Sequence, residues 1–140
     1  IIMLKKLDKL NNLRIKRAKK FIKELSNYKE LEFLKTTGKF RHVYHLLSAY
    51  YIPNKKINKK NLIKKLYKKY SIKCAVQYYP LYKYDLFKKM GQGGKKLINT
   101  EKFYNNMISF PFHVWMSNKE FKYLINSVKK SLVEKKKLRK

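Results

Sequence analysis

The sequence has little cysteine and no long apolar run, and each shortage excludes a class of protein. Cys74 is the one cysteine in 140 residues, which excludes an internal disulfide framework and a cysteine-rich zinc site. No stretch approaches 18 apolar residues without a charge, and the opening IIMLKKLDKL is too short an apolar run for a signal peptide. We therefore expect no membrane span and a cytoplasmic protein. Because the chain opens with Ile1 instead of Met, we also expect it to belong to something longer.

Acidic residues are scarce as well: 8 Asp and Glu stand against 37 Lys and Arg, a net charge of +29. Such an excess is typical of nucleic-acid binding, because lysines that neutralise phosphates release counterions. Proteins that recognise bases favour arginine, however, and only four of the 37 basic residues are arginines: Arg14, Arg17, Arg41 and Arg139. The chain is also crowded with Ile, Asn, Tyr and Phe, which share AT-rich codons with Lys. Genome composition therefore explains the lysines at least as well, and a lysine-rich module that binds nucleic acid non-specifically remains the alternative.

The length and the apolar content together indicate one folded domain. A chain of 140 residues can bury about two-thirds of its unfolded surface, which is enough for a single core. Aromatic residues make up 15% of the chain, too many for a sequence that stays unfolded.

The first half of the chain predicts a helix followed by two strands. Residues 1–27 have apolar positions at helical spacing, interrupted by Asn11 and Arg14. The interruption indicates that part of this face meets a polar partner or another domain, or that the helix rolls. Residues 31–34 are a short candidate strand and residues 36–38 a turn. Residues 41–52 (RHVYHLLSAYYI) predict a central strand with two covered faces, ended by Pro53.

The second half predicts three helices and one strand. Asn58 caps the first helix, and residues 71–79 (SIKCAVQYY) read as a strand. Residues 81–96, with GQGG, read as a surface loop, and Asn99 or Thr100 caps a short helix through Met107. Ser117 and Glu120 form a capping box for the last helix. We expect an α+β fold in which a small two- to three-stranded sheet is covered by helices.

No complete catalytic set is visible. His42 and His45 are three apart, a spacing that sends side chains to opposite faces of a strand, so we expect no metal site there. Cys74 stands among apolar residues and is expected to be a buried, inert thiol. The eight acids are scattered along the chain, which leaves no paired carboxylates for hydrolysis.

The strongest candidate for a site is residues 77–84 (QYYPLYKY), called the tyrosine segment below. Aromatic rings with hydroxyl tips at the end of a strand can line a ligand site. The same rings can simply cap the core, and the residues alone leave both readings open.

Three ordered blocks, together with the first helix, resemble the DegT-type aminotransferases, pyridoxal-phosphate enzymes that mostly act on nucleotide-linked keto-sugars. The first block is the helix that leads into SIKCAVQ, followed by YYPL at residues 78–81. The second block is SFPFH at residues 109–113, which is preceded by the acidic helix start NTE at 99–101. The third block is MSNKE at residues 116–120. Residues 4–18 (LKKLDKLNNLRIKRA) are similar to the helix that links the family's large and small domains. Gln77 and Tyr82 stand where the commoner family version has two histidines.

The resemblance implies the C-terminal small domain of such an enzyme, a fold like the C-terminal domain of aspartate-aminotransferase-like pyridoxal-phosphate proteins. It implies a linker helix at 1–27, a small domain at 28–140, and a missing large domain that holds pyridoxal 5'-phosphate and the Schiff-base lysine. The implied partners are a sugar nucleotide as substrate, glutamate as amino donor and a second subunit in a homodimer. The implied substrate-binding residues are Tyr78, Tyr79, Tyr82 and His113, with no catalytic, cofactor or metal residue in this chain. By itself the chain should be inactive, and a catalytically dead relative is a further alternative.

Overall fold

The structure is a computed structural model that describes residues 2–35, 37–53, 57–93 and 96–133, with the backbone alone for Met3. Five α-helices and three strands occur in these ranges, so the fold is α+β as predicted. In chain order they are α1 (Ile2–Leu25), β1 (Leu31–Phe33), β2 (Leu47–Tyr51), α2 (Lys59–Tyr70), α3 (Asp85–Lys89), α4 (Ile98–Asn106), β3 (Met107–Phe110) and α5 (Asn118–Leu132). A single 3-10 turn, Leu81–Lys83, precedes α3.

The three strands form an antiparallel sheet in the order β1-β2-β3, which confirms that β2 is central. Leu31 lies opposite Tyr51, and Leu47 lies opposite Phe110. Side chains alternate along β2, so that Leu47, Ala49 and Tyr51 are buried on one face while Ser48 and Tyr50 are half-buried on the other.

The core lies between the buried sheet face and three helices. Phe21 of α1 is fully buried, and its ring centroid lies 5.1 Å from that of Phe110, 6.0 Å from Phe33 and 6.5 Å from Phe121. From the other helices come Leu62 and Leu66 of α2 and Leu124, Ile125 and Val128 of α5. Burial of these apolar side chains is the main source of the fold's stability.

Two predicted helix starts are confirmed because both depend on local hydrogen bonds. The Asn58 side chain accepts a 2.9 Å hydrogen bond from the Asn61 backbone N–H at the start of α2. At α5, the Ser117 hydroxyl accepts from the Glu120 N–H, and the Glu120 carboxylate accepts from the Ser117 N–H at 2.7 Å. This reciprocal pair satisfies two backbone donors that the helix itself leaves open.

The predicted strand over residues 41–52 is wrong in its first half. Strand pairing begins only at Leu47, because Tyr44 takes a left-handed backbone conformation with φ of 52°. Arg14 on α1 faces this bend and donates to the carbonyl oxygens of Tyr44 at 3.5 Å and His45 at 3.4 Å. The polar interruption in the first helix therefore has its partner inside the chain.

The prediction of a strand over residues 71–79 is also wrong. Only Ala75 pairs there, through two backbone hydrogen bonds with Ser109 of 2.9 and 2.8 Å. The partner strand β3 was missed, since it follows α4 without an intervening turn and the predicted helix was extended through Met107, the first residue of the strand. Residues 81–96 are not one loop either, because the 3-10 turn and α3 lie within them.

The predicted cap of α4 is wrong as well. Leu97 occupies the N-cap position and makes no side-chain capping bond, so neither Asn99 nor Thr100 performs this role. Both residues lie inside the first turn of the helix instead.

Arg14, Arg17 and Arg41 all bind groups within the chain. Arg17 donates a 2.8 Å hydrogen bond to the carbonyl oxygen of Val114, and Arg41 pairs with Asp8 at 2.6 Å. The three therefore fasten α1 to the chain before β2 and to the turn after β3. The first turns of α1 are less covered: Ile2, Leu4 and Leu7 are 73%, 70% and 47% exposed.

None of the described helices is long and apolar enough to cross a membrane.

Candidate functional site

The tyrosine segment begins where the chain leaves the edge of β3. After the Ala75–Ser109 pairing, the Gln77 backbone N–H donates to the Met107 sulfur at 3.1 Å, and Pro80 is buried. The peptide bond between Gln77 and Tyr78 is cis. The segment is therefore anchored to the sheet edge at two points, and its tyrosines project from an anchored backbone.

Tyr79 is held by other aromatic rings. Its ring centroid lies 5.1 Å from that of Tyr84 and 5.6 Å from that of Tyr104 on α4, and both pairs are edge to face. Edge-to-face pairs of this kind stabilise by about 0.5 to 1.5 kcal/mol beyond area burial. Tyr79 is still 42% exposed, so one side of the ring stays accessible.

Lys59 of α2 in turn fixes Tyr104. Its ammonium donates to the Tyr104 carbonyl oxygen at 2.9 Å and lies 5.6 Å from the centroid of the Tyr104 ring. Burial lowers the pKa of Lys59 from its ordinary value, because the charged form loses hydration there.

Tyr82 donates a short hydrogen bond from its hydroxyl to Oε1 of Glu101 on α4. Lys83 Nζ lies 2.9 Å from the same carboxylate oxygen, and Lys96 Nζ lies 4.0 Å from the other one. Hydrogen bonds from Tyr82 and Lys83 hold the pKa of Glu101 below its ordinary value. The pKa of Tyr82 is raised, first by burial and then by the bond to Glu101. At neutral pH this arrangement contains an ionised carboxylate and a protonated phenol.

The other two predicted site residues stand apart from these contacts. Tyr78 is 68% exposed, and within the described ranges its hydroxyl has no partner. His113 is exposed in the turn after β3, where its carbonyl oxygen accepts from Arg17 at 3.4 Å. Among the described residues, no hydrogen bond, ion pair or ring contact joins His113 to the tyrosine segment.

Sequence reasoning missed the residues that support the tyrosines, namely Glu101, Tyr104 and Lys59. Glu101 and Tyr104 are three apart on α4, a spacing that puts them on one helix face. The sequence shows this spacing, but no local pattern predicts that this face of α4 contacts residues 79 and 82. Lys59 was hidden among the many lysines of α2.

The described residues contain no group of three or more His, Cys, Asp and Glu side chains that could hold a metal ion. The prediction that His42 and His45 lie in a strand is wrong, since strand β2 begins only at Leu47. Nδ1 of His42 instead accepts a 3.2 Å hydrogen bond from the backbone N–H of Tyr44.

Cys74 is half-buried, and burial raises the pKa of its thiol to about 12. A thiol that stays protonated at neutral pH is a poor nucleophile. This agrees with the expected inert thiol.

Three solved structures with the same fold are each nearly three times as long as this chain, which spans about a third of their length. PseC of Helicobacter pylori, an aminotransferase involved in the biosynthesis of pseudoaminic acid, is 25% identical with a TM-score of 0.80, and the match covers 92% of this chain and 34% of PseC. DesV of S. venezuelae, solved in complex with a ketimine intermediate, is 18% identical with a TM-score of 0.82, and the match covers 96% of this chain and 35% of DesV. Spr1654 of Streptococcus pneumoniae, solved in a PLP form, is 21% identical with a TM-score of 0.75, and the match covers 94% of this chain and 33% of Spr1654.

No curated protein sequence matches the chain. A family does match, and it covers residues 1–129, nearly the whole length. The three sequence blocks and the linker-like helix that suggested it all lie within that match. The chain belongs to the DegT/DnrJ/EryC1/StrS aminotransferase family.

Proposed function

We propose that this chain is the C-terminal portion of a pyridoxal-phosphate-dependent aminotransferase that acts on a nucleotide-linked keto-sugar. The family match over residues 1–129, combined with coverage of only about a third of each solved relative, carries this proposal. Within it, residues 1–27 are a linker helix and residues 28–140 the small domain. The involvement of PseC in pseudoaminic acid biosynthesis supports amino-sugar or cell-surface polysaccharide biosynthesis as the setting.

Structures of Spr1654 in PLP and PMP forms support pyridoxal 5'-phosphate as the parent's cofactor. When bound, this cofactor supplies an electron sink for carbanion chemistry at the amino carbon. The described residues at the site do not fit it. Lys59, the amine that burial perturbs, is paired with the Tyr104 carbonyl, and the Glu101 carboxylate is occupied by Tyr82 and Lys83. We therefore assign the cofactor to the parent's large domain and expect this chain alone to be inactive.

The contribution of this chain is to bind and orient the sugar nucleotide. Tyr78, Tyr79 and Tyr82 present rings and hydroxyls on an anchored backbone, and His113 presents an imidazole from the turn after β3. The excess of lysine attracts a negatively charged substrate toward the domain. Glutamate as amino donor and a homodimeric parent complete the proposal.

The test is an assay of the full-length parent protein, whose upstream sequence should contain a Schiff-base lysine. Incubated with a nucleotide-linked keto-sugar and glutamate, it should release 2-oxoglutarate and an amino-sugar nucleotide. The 140-residue chain incubated with pyridoxal phosphate is the matched control and should show no borohydride-reducible aldimine absorbance. A parent that binds the cofactor but transfers no amino group would instead support the inactive relative.

The nucleic-acid alternative has less support. Arg14, Arg17 and Arg41 are held in contacts within the chain, so the described residues offer lysines but no free arginine for reading bases.

A further inference from the structure

The hydrogen bond between Tyr82 and Glu101 has only one possible direction. A carboxylate whose pKa lies below its ordinary value is ionised at neutral pH and can only accept. A phenol has a single proton, so Tyr82 commits that proton to Glu101.

Two neighbouring lysines, the dipole of α4 and low exposure to water keep Glu101 ionised and fixed. Lys83 lies 2.9 Å from the oxygen that accepts from Tyr82, and Lys96 lies 4.0 Å from the second oxygen. Glu101 also stands in the first turn of α4, where the helix dipole favours a negative charge. Its side chain is only 18% exposed, so water competes weakly for the bond.

A Tyr82 hydroxyl held in this way can offer a ligand only its lone pairs. It can accept a hydrogen bond from a hydroxyl or an amide N–H, whereas unprotonated phosphate oxygens need a donor. Tyr78 differs, because its hydroxyl has no partner among the described residues and can turn either way.

We propose that Tyr82 recognises a hydrogen-bond donor on the sugar ring, a hydroxyl or an amide N–H, and not the diphosphate, and that Glu101 is the positioning residue that imposes this choice. This inference depends on the proposed function, since it assigns a part of the same substrate to a part of the same site. It adds a specificity rule: the sugar must carry a donor at the position that meets Tyr82.

The experiment uses the full-length parent enzyme and sugar nucleotides in which one ring hydroxyl at a time is replaced by fluorine, which accepts but cannot donate. One of these analogues should lower kcat/KM of the wild-type enzyme about 10-fold or more, because its fluorine faces the lone pairs of Tyr82. Tyr82→Phe should reduce this penalty to about twofold or less. Glu101→Ala should reduce it too, since the freed proton of Tyr82 can then turn toward fluorine.

A nucleoside diphosphate without the sugar is the second probe. Its inhibition constant should be the same for the wild-type enzyme and Tyr82→Phe. A rise of about fivefold or more would show that Tyr82 contacts phosphate, and would overturn the inference. So would a Tyr82→Phe enzyme that discriminates against every fluorinated analogue as strongly as the wild type does.

Glu24→Ala is the matched control, because it removes a carboxylate of α1 that pairs with Lys129 of α5. It should leave the decrease in kcat/KM caused by fluorine unchanged. If Glu101→Ala fails to fold, Tyr82→Phe with both probes still decides. Failure of the proposed function has a different result, a wild-type parent with no aminotransferase activity on any sugar nucleotide.

Discussion

Arg17 and Val114, 97 residues apart in the sequence, are joined by a 2.8 Å hydrogen bond from the guanidinium to the carbonyl oxygen. The same guanidinium lies 5.9 Å from the centroid of the Phe121 ring. One side chain of α1 thus holds both the turn that carries His113 and the first turn of α5.

Replacing this arginine by lysine should destabilise the protein even though the charge is kept. A lysine ammonium is not planar, so it cannot donate to the Val114 carbonyl and stack on the Phe121 ring at the same time. Arg17→Lys should therefore lower the free energy of unfolding by about 1 to 3 kcal/mol. Urea unfolding measures this, with Lys19→Arg on the exposed face of the same helix as control. Equal midpoints for Arg17→Lys and wild type would contradict the prediction.

Tyr78 and Tyr79 should respond in opposite ways to substitution. Tyr78→Phe removes a hydroxyl without a described partner, so in the full-length enzyme it should raise KM for the sugar nucleotide, at a cost of roughly 0.5 to 1.5 kcal/mol, and leave the melting temperature nearly unchanged. Tyr79→Ala removes two ring contacts and should lower the melting temperature. Steady-state kinetics alongside thermal melts separates the two, and a Tyr78→Phe enzyme with wild-type kinetics would remove Tyr78 from the site.

The capping box of α5 should make stability depend on acid. Hydrogen bonds with Ser117 hold the pKa of Glu120 below its ordinary value of 4.5. The unfolded chain therefore takes up this proton first as the pH falls. The stabilisation from the ionised Glu120 is fully present at pH values above the ordinary pKa of this side chain. It is lost as the pH drops through its lower pKa in the folded protein. Glu120→Gln should reduce the loss of stability between pH 5 and pH 3, as followed by urea unfolding, and an unchanged acid slope would count against it.

Cys74 should be slow to alkylate while the protein is folded. With a thiol pKa of about 12, the thiolate fraction at pH 8 is on the order of a thousandfold smaller than in an unfolded chain. Iodoacetamide labelling followed by mass spectrometry should therefore be slow in buffer and fast in denaturant. Comparable rates in the two conditions would mean that the thiol is not desolvated.

Any binding of the chain to nucleic acid should be non-specific and sensitive to salt. The described arginines are engaged within the chain, and contacts from lysine to phosphate depend on counterion release. Unrelated duplexes of equal length should bind alike at low salt and dissociate together as salt rises. Preference for one sequence that persists at high salt would revive the nucleic-acid alternative.

The parts of the fold that could be predicted from the sequence are those whose causes are local. The caps at Asn58 and Ser117 depend on residues three apart, and the helix over residues 2–25 depends on its own periodicity. Residues 41–46 failed because their bend is stabilised by Arg14, which is 30 residues from Tyr44 in the sequence. The prediction of a strand over residues 71–79 failed because an apolar run does not indicate how many of its residues will pair with another strand.

The same division holds at the candidate site. Tyrosines beside Pro80 could be selected from composition and from the family resemblance. Glu101, Tyr104 and Lys59 could not, because they join the site from α4 and α2 through contacts that no sequence spacing encodes.

The central position of β2 has a consequence for the order of folding. β1 and β2 can meet early, whereas α2, α3 and α4 all lie in the chain between β2 and β3. Closing so long a loop is entropically costly, so the β2–β3 pairing should form late. The bridge at Ala75 requires β3, and the tyrosine segment is anchored through that same edge. In a refolding experiment, helical signal should therefore recover before the tyrosine segment becomes anchored to β3.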